Sequence, residues 1–65
     1  MAWITIDFFG NETIWENKPI RSKSEKCWMP YGHVSYGMFV EVPKGTAEKL
    51  TGRDLDWDDE PIKLE

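Results

Sequence analysis

The sequence predicts a β-rich α+β fold: a small twisted antiparallel sheet, or a half-open barrel, of four to five strands with one short helix before the last strand. Three observations predict it. Apolar residues recur at every second position from Ala2 to Phe8 and again from Val34 to Val42, the pattern of half-buried strands. Phe9-Gly10-Asn11-Glu12 carries turn chemistry and separates the first run from a β-branched, aromatic run, Thr13-Ile14-Trp15-Glu16. Near the end of the chain, Thr46 to Gly52 has a capping threonine before it and a terminating glycine after it, as a short helix needs.

In the first strand, Ala2, Ile4, Ile6 and Phe8 share one face while Trp3, Thr5 and Asp7 share the other. The second strand is expected to stop near Asn17, because Pro19 lacks a donor for the ladder. Asn17 to Lys26 is polar and reads as a loop or twisted edge, with Ile20 its only inward-facing candidate. Cys27-Trp28-Met29 is a short apolar run stopped by Pro30, and Tyr31-Gly32 reads as a turn. Val34, Tyr36, Met38, Val40 and Val42 define one face of a long half-buried strand, in which Gly37 points to a bulge or a close backbone approach. Pro43 ends that strand. A helix of about six residues is not stable alone, so it must pack Ala47 and Leu50 on the sheet. Arg53 to Glu60 is an acidic connector with two apolar anchors, Leu55 and Trp57, and Ile62 and Leu64 alternate as a last short strand. Rolling the sheet would hide its edges.

With 65 residues the chain has room for one domain, residues 1–65. Leu64-Glu65 reads equally as native sequence and as a cloning remnant before a tag, so Glu65 carries no weight. No apolar run approaches the ~20 residues that span a bilayer, and the start of the chain lacks a charged stretch followed by an apolar core. Cys27 is the single cysteine, so no intrachain disulfide forms. A cytoplasmic protein with no membrane partner is the expectation. The net charge of −4 is uneven. Residues 1–40 hold four cations against four acids, whereas residues 41–65 hold four cations against eight acids.

Candidate chemistry is sparse. Asp54-Leu55-Asp56-Trp57-Asp58-Asp59-Glu60 spaces carboxylates as a hard cation would want them. A calcium loop, however, needs glycine at its sixth position, where Asp59 stands, and its closing acid would fall on Glu65. The better reading turns Leu55 and Trp57 inward and leaves Asp54, Asp56 and Asp58 in water. An alternative reading, compatible with this one, makes Asp58, Asp59 and Glu60 an anionic patch for a basic partner. Cys27 and His33 are the only thiol and imidazole, too few ligands for zinc. Glycine-rich phosphate loops are absent. The expectation is therefore a non-enzyme with no catalytic, cofactor-binding or metal-binding residues and no cofactor.

Four tryptophans in so short a chain are an unusual load. A hairpin places Trp3 and Trp15 on the face opposite Ile4, Ile6 and Ile14, and one helical turn cannot easily cover both faces of a sheet. The leading expectation is a small protein-interaction or accessory module, self-association being its simplest form. Trp3, Trp15, Trp28 and Tyr31 would be its anchors and Asp58, Asp59 and Glu60 its charged rim. A second reading is single-stranded nucleic-acid binding through Lys18, Arg21, Lys23 and Lys26 with the neighbouring Trp28, Tyr31, His33 and Tyr36. The acidic pI of about 4.9 and the small number of cations disfavour it. A third, an acidic nucleic-acid mimic, has only the connector's carboxylates behind it.

Lys49-Leu50-Thr51-Gly52-Arg53-Asp54-Leu55-Asp56-Trp57-Asp58-Asp59-Glu60-Pro61 resembles the tail of short uncharacterised proteins of the phage and prophage kind. The resemblance covers about a fifth of the chain. It implies a cytoplasmic accessory role in a bacterial or viral setting and transfers no functional residue.

Overall fold

The computed structural model describes residues 2–30 and 39–64. In chain order the elements are β1 (Ala2–Ile6), β2 (Glu12–Trp15), β3 (Ile20–Ser22), β4 (Cys27–Met29), β5 (Phe39–Val42), α1 (Thr46–Thr51) and β6 (Ile62–Leu64). Four antiparallel strands form the main sheet in the order β5-β2-β1-β6, while β3 and β4 pair as a separate hairpin. The architecture is the predicted one, strand-rich with a single short helix before the last strand. The sheet stays open.

Register sorts the side chains onto two faces. Ile4 lies opposite Ile14 on one side and Ile62 on the other, and Ile14 lies opposite Val40. This face carries the core: Ile4, fully buried, meets Ala47 of α1 and Leu55 of the connector, with Ile6, Ile14, Ile62 and Leu64 packed around them. Burying a side chain such as Ile4 contributes about 1.5–3 kcal/mol. Ala47 is the side chain small enough to bring the helix against the sheet. Leu50, three residues on from Ala47, stays 53% exposed, contrary to expectation, at the rim of a cleft that it lines with Ile62 and Leu64.

The helix start also differs from the prediction. Thr46 is the first helical residue rather than the cap, and its hydroxyl donates to the Pro43 carbonyl. Gly45 is the N-cap, at φ 96°, a left-handed conformation that glycine adopts without a Cβ clash. Gly45 has no side chain with which to satisfy the helix's first N–H groups. The acceptor comes from β2: the Glu12 carboxylate receives Gly45 N–H at Oε2 and Ala47 N–H at Oε1, both at 2.8 Å. Glu12 is therefore buried on the core face at the first position of β2, not in the preceding turn. Gly52 closes the helix in the left-handed region, as the sequence predicts.

The opposite face presents Trp3, Thr5, Thr13, Trp15 and Phe39, by the same register. The β3–β4 hairpin stands over part of it. Phe8 N–H donates to the Lys26 carbonyl at 3.2 Å, and the Trp28 indole N–H donates to the Ile6 carbonyl at 3.1 Å. Cys27, Met29 and Pro30 face Thr13, Trp15 and Phe39 across a shallow cleft. Within the hairpin Ile20 is exposed, contrary to expectation, while Pro19 is buried and Arg21 half-buried. Of the long strand expected over 34–42, β5 supplies Phe39–Val42. Val40 is 57% exposed because it sits on the outermost strand, farthest from the core centred on Ile4. Val34, Tyr36, Gly37 and Met38, and the turn at Tyr31-Gly32, lie outside the described residues.

Candidate interaction surface

The link between β1 and β2 is a tight turn organised by one side chain. Asp7 Oδ1 accepts the backbone N–H groups of Phe9 and Asn11, both at 2.9 Å, and Oδ2 accepts from the Asn11 amide at 3.3 Å. Two backbone bonds close the loop: Asp7 N–H to the Asn11 carbonyl and Gly10 N–H to the Asp7 carbonyl, each at 3.0 Å. Aspartate suits this task because its short carboxylate reaches amides two and more residues ahead. The turn holds two large apolar side chains out of the core. Phe8 is 53% exposed and Phe9 64%, their rings edge to face at 5.4 Å. Lys26 Nζ sits 4.5 Å from the Phe8 ring centre.

Beside this turn runs a cleft of about 520 Å³ between β1, the turn and the acidic connector. Ile6, Phe8, Leu55 and Trp57 supply apolar wall, and Asp7, Asp54, Asp56 and Asp58 supply carboxylates. Lys44 is the cation on its lining. The connector is folded back on itself: Asp56 N–H donates to Asp59 Oδ2 and Asp58 N–H to Asp56 Oδ1, both at 2.9 Å. The carboxylates of Asp54 and Asp58 are left at the exposed surface.

Behind the cleft the connector is clamped to the β3–β4 hairpin. The Arg21 guanidinium lies 4.7 Å from the ring centres of both Trp28 and Trp57, which meet edge to face at 5.6 Å. Arg21 also donates to the Asp59 carbonyl at 3.0 Å and pairs with Glu60 at 3.6 Å. A planar cation between two indoles gains from both ring faces while its N–H groups still reach oxygen.

The anchors expected from sequence are thus dispersed. Trp15 and Trp28 are corrected from surface anchors to core residues, 5% and 7% exposed. The cause is that the second face of the sheet is not left bare. Trp15 packs on Phe39 at 4.8 Å and donates its indole N–H to the Thr5 hydroxyl at 2.9 Å, and Trp28 is enclosed by Arg21 and Trp57. Trp3 is half-buried, with Lys18 Nζ 5.3 Å from its ring centre. Tyr31 lies outside the described residues, as do His33 and Tyr36 of the cationic-aromatic motif. Asp58 and Glu60 are exposed and Asp59 half-buried in one acidic turn. Sequence reasoning missed the Phe8–Phe9 pair, having assigned Phe8 to the core face. The signal was present: the pair directly precedes Gly10-Asn11, and once Asp7 opens the turn, strand alternation no longer assigns Phe8 to the core face.

Cys27 is half-buried at the start of β4. Partial desolvation, aided by the nearby charges of Glu25 and Asp7, pushes its thiol above the ordinary cysteine range and away from the nucleophilic thiolate. Among the described residues, no group of three or more histidine, cysteine or carboxylate side chains converges as a metal site. Among the same residues no helix is long and apolar enough to cross a membrane. Comparison of the chain with family models, with curated proteins and with solved structures finds no match.

Proposed function

We propose that the protein is a small non-enzymatic interaction module that binds another protein chain through the Phe8–Phe9 turn and the cleft beside it. The carrying observation is the turn itself: five hydrogen bonds fix a loop whose largest side chains face water. The hydrogen bonds close the β1–β2 hairpin, but holding the two rings toward water adds little to the core. It does pre-order an apolar contact, which lowers the entropic cost of association. We propose for the protein an accessory role in the cytoplasm, in a bacterial or viral setting, which is what the resemblance of residues 49–61 to phage-type proteins implies.

The nucleic-acid reading receives less support. Its cations are largely occupied within the chain: Arg21 between Trp28 and Trp57, Lys26 over Phe8, and Lys18 beside Trp3. Trp28, one of its stacking platforms, is buried.

The test is the double variant Phe8→Ser/Phe9→Ser, compared with the parent chain in native extracts of the cells that make it. The parent should migrate in a complex larger than its own 7.6 kDa, and the variant as the free chain. The urea midpoints of the two purified proteins should agree. A variant that keeps the complex, or one that no longer folds, would refute the assignment of this surface.

A further inference from the structure

We infer that the cleft between the β1–β2 turn and the acidic connector seats an arginine side chain from a basic segment of the partner. This inference rests on the interaction reading and adds the chemistry of what is bound.

Two features define the occupant. The wall contributed by Phe8 and Trp57 is aromatic, and each ring already takes a cation of this chain, Lys26 at 4.5 Å from Phe8 and Arg21 at 4.7 Å from Trp57, so both rings are of the kind that accepts positive charge. Asp7, Asp54, Asp56 and Asp58 line the cleft with one cation, Lys44; Asp7 and Asp56 already accept N–H groups of their own turns, which leaves the Asp54 and Asp58 carboxylates as the uncommitted negative charge. None of these four acids is in a salt bridge among the described residues. An apolar ligand would leave that charge uncompensated, and an anion would be repelled. A compact ammonium can sit over one ring, as Lys26 does on Phe8, but it has no flat surface to lay along an aromatic wall while donating sideways to more than one carboxylate. A guanidinium on its three-carbon stem satisfies both walls, since it stacks on aromatic faces and donates in-plane to carboxylates.

The chain already contains the same solution once. On the neighbouring side of the connector, Arg21 combines two indole faces, a backbone carbonyl and the Glu60 carboxylate. Trp57 belongs to both places, walling the cleft and holding Arg21. The cleft thus repeats the ingredients of an arginine seat without an arginine of its own.

The probe is a short glycine–serine peptide carrying two arginines, with its citrulline counterpart as the uncharged isostere. Binding is read from amide shifts of Phe8 and Asp54 and from the Trp57 indole signal. Saturable shifts at these groups are expected with the arginine peptide. They should weaken about tenfold or more in Asp54→Lys/Asp58→Lys and weaken again as salt is raised, while Glu16→Lys, the same kind of charge change at a distance, leaves them nearly unchanged. Equal binding of the citrulline peptide, equal weakening by Glu16→Lys, or no saturable shift in a double variant-sensitive manner at the cleft would overturn the inference. If the arginine peptide fails while Phe8→Ser/Phe9→Ser still releases the chain from its complex, the arginine seat is refuted and the interaction surface stands. If the serine variant retains the complex, the surface itself is refuted.

Discussion

At Glu12 one carboxylate joins elements 33 and 35 residues away in sequence, replacing the side-chain cap that Gly45 cannot supply. Glu12→Ala leaves two amides of the helix start without an acceptor, at a cost of about 2–3 kcal/mol. Urea unfolding should show that loss, and Glu12→Gln, which keeps one acceptor oxygen, should lose less. Thr5 plays a smaller version of the role for the Trp15 indole. Thr5→Val preserves shape but strands a buried donor, so it should cost about 1–2 kcal/mol while Thr5→Ser costs less. Cys27 offers a reading of local electrostatics. Its thiol is held above the usual range by partial desolvation and by Glu25 and Asp7, so a higher pH is needed to form the reactive thiolate. Alkylation of the folded protein should reach half its maximal rate at a higher pH than alkylation of the urea-unfolded chain. Glu25→Gln should narrow that gap, because it removes one of the negative charges that oppose ionisation.

At the scale of elements, the boundary signals in the sequence work well where they are local. Alternation from Ala2 to Phe8 finds β1 but overruns it, since the strand ends at Ile6 and Phe8 lies in the turn, whereas Pro30 after β4, Pro43 after β5 and Gly52 after α1 act within a few residues and end their elements where they stand. What was not legible depends on which element covers which face. The β3–β4 hairpin looked like a polar edge, yet Pro19 and Arg21 turn inward and Ile20 turns out. That inversion carries Trp28 into the interior and removes it, with Trp15, from the surface. The clamp of Arg21 between Trp28 and Trp57 is the contact that ties this hairpin to the connector. Arg21→Ala should cost about 1–2 kcal/mol and speed hydrogen exchange in β3, β4 and residues 56–60 ahead of the main sheet. Uniform acceleration across β1 and β2 as well would mean that the hairpin is not a separable unit.

For the whole molecule, the distribution of surface follows from thinness. A four-stranded sheet with one short helix on its first face and a two-stranded hairpin over its second hides most indole surface, and the large apolar residues left outside, among the described residues, lie at the periphery: Phe8 and Phe9 at a turn, Ile20 on the hairpin, Phe39 and Val40 on an outer strand and Leu50 on the helix. Of these, the phenylalanine turn is the one bound rigidly by its own hydrogen bonds and bordered by an acidic cleft. Contact is accordingly assigned to it and not to the tryptophans. Replacing Phe9 with a photo-crosslinking phenylalanine analogue, beside the same analogue at exposed Glu48 on α1, examines that assignment most directly in cells. A discrete protein adduct from position 9 and none from position 48 is the predicted result; no adduct at position 9, or the same adducts from both positions, would contradict it.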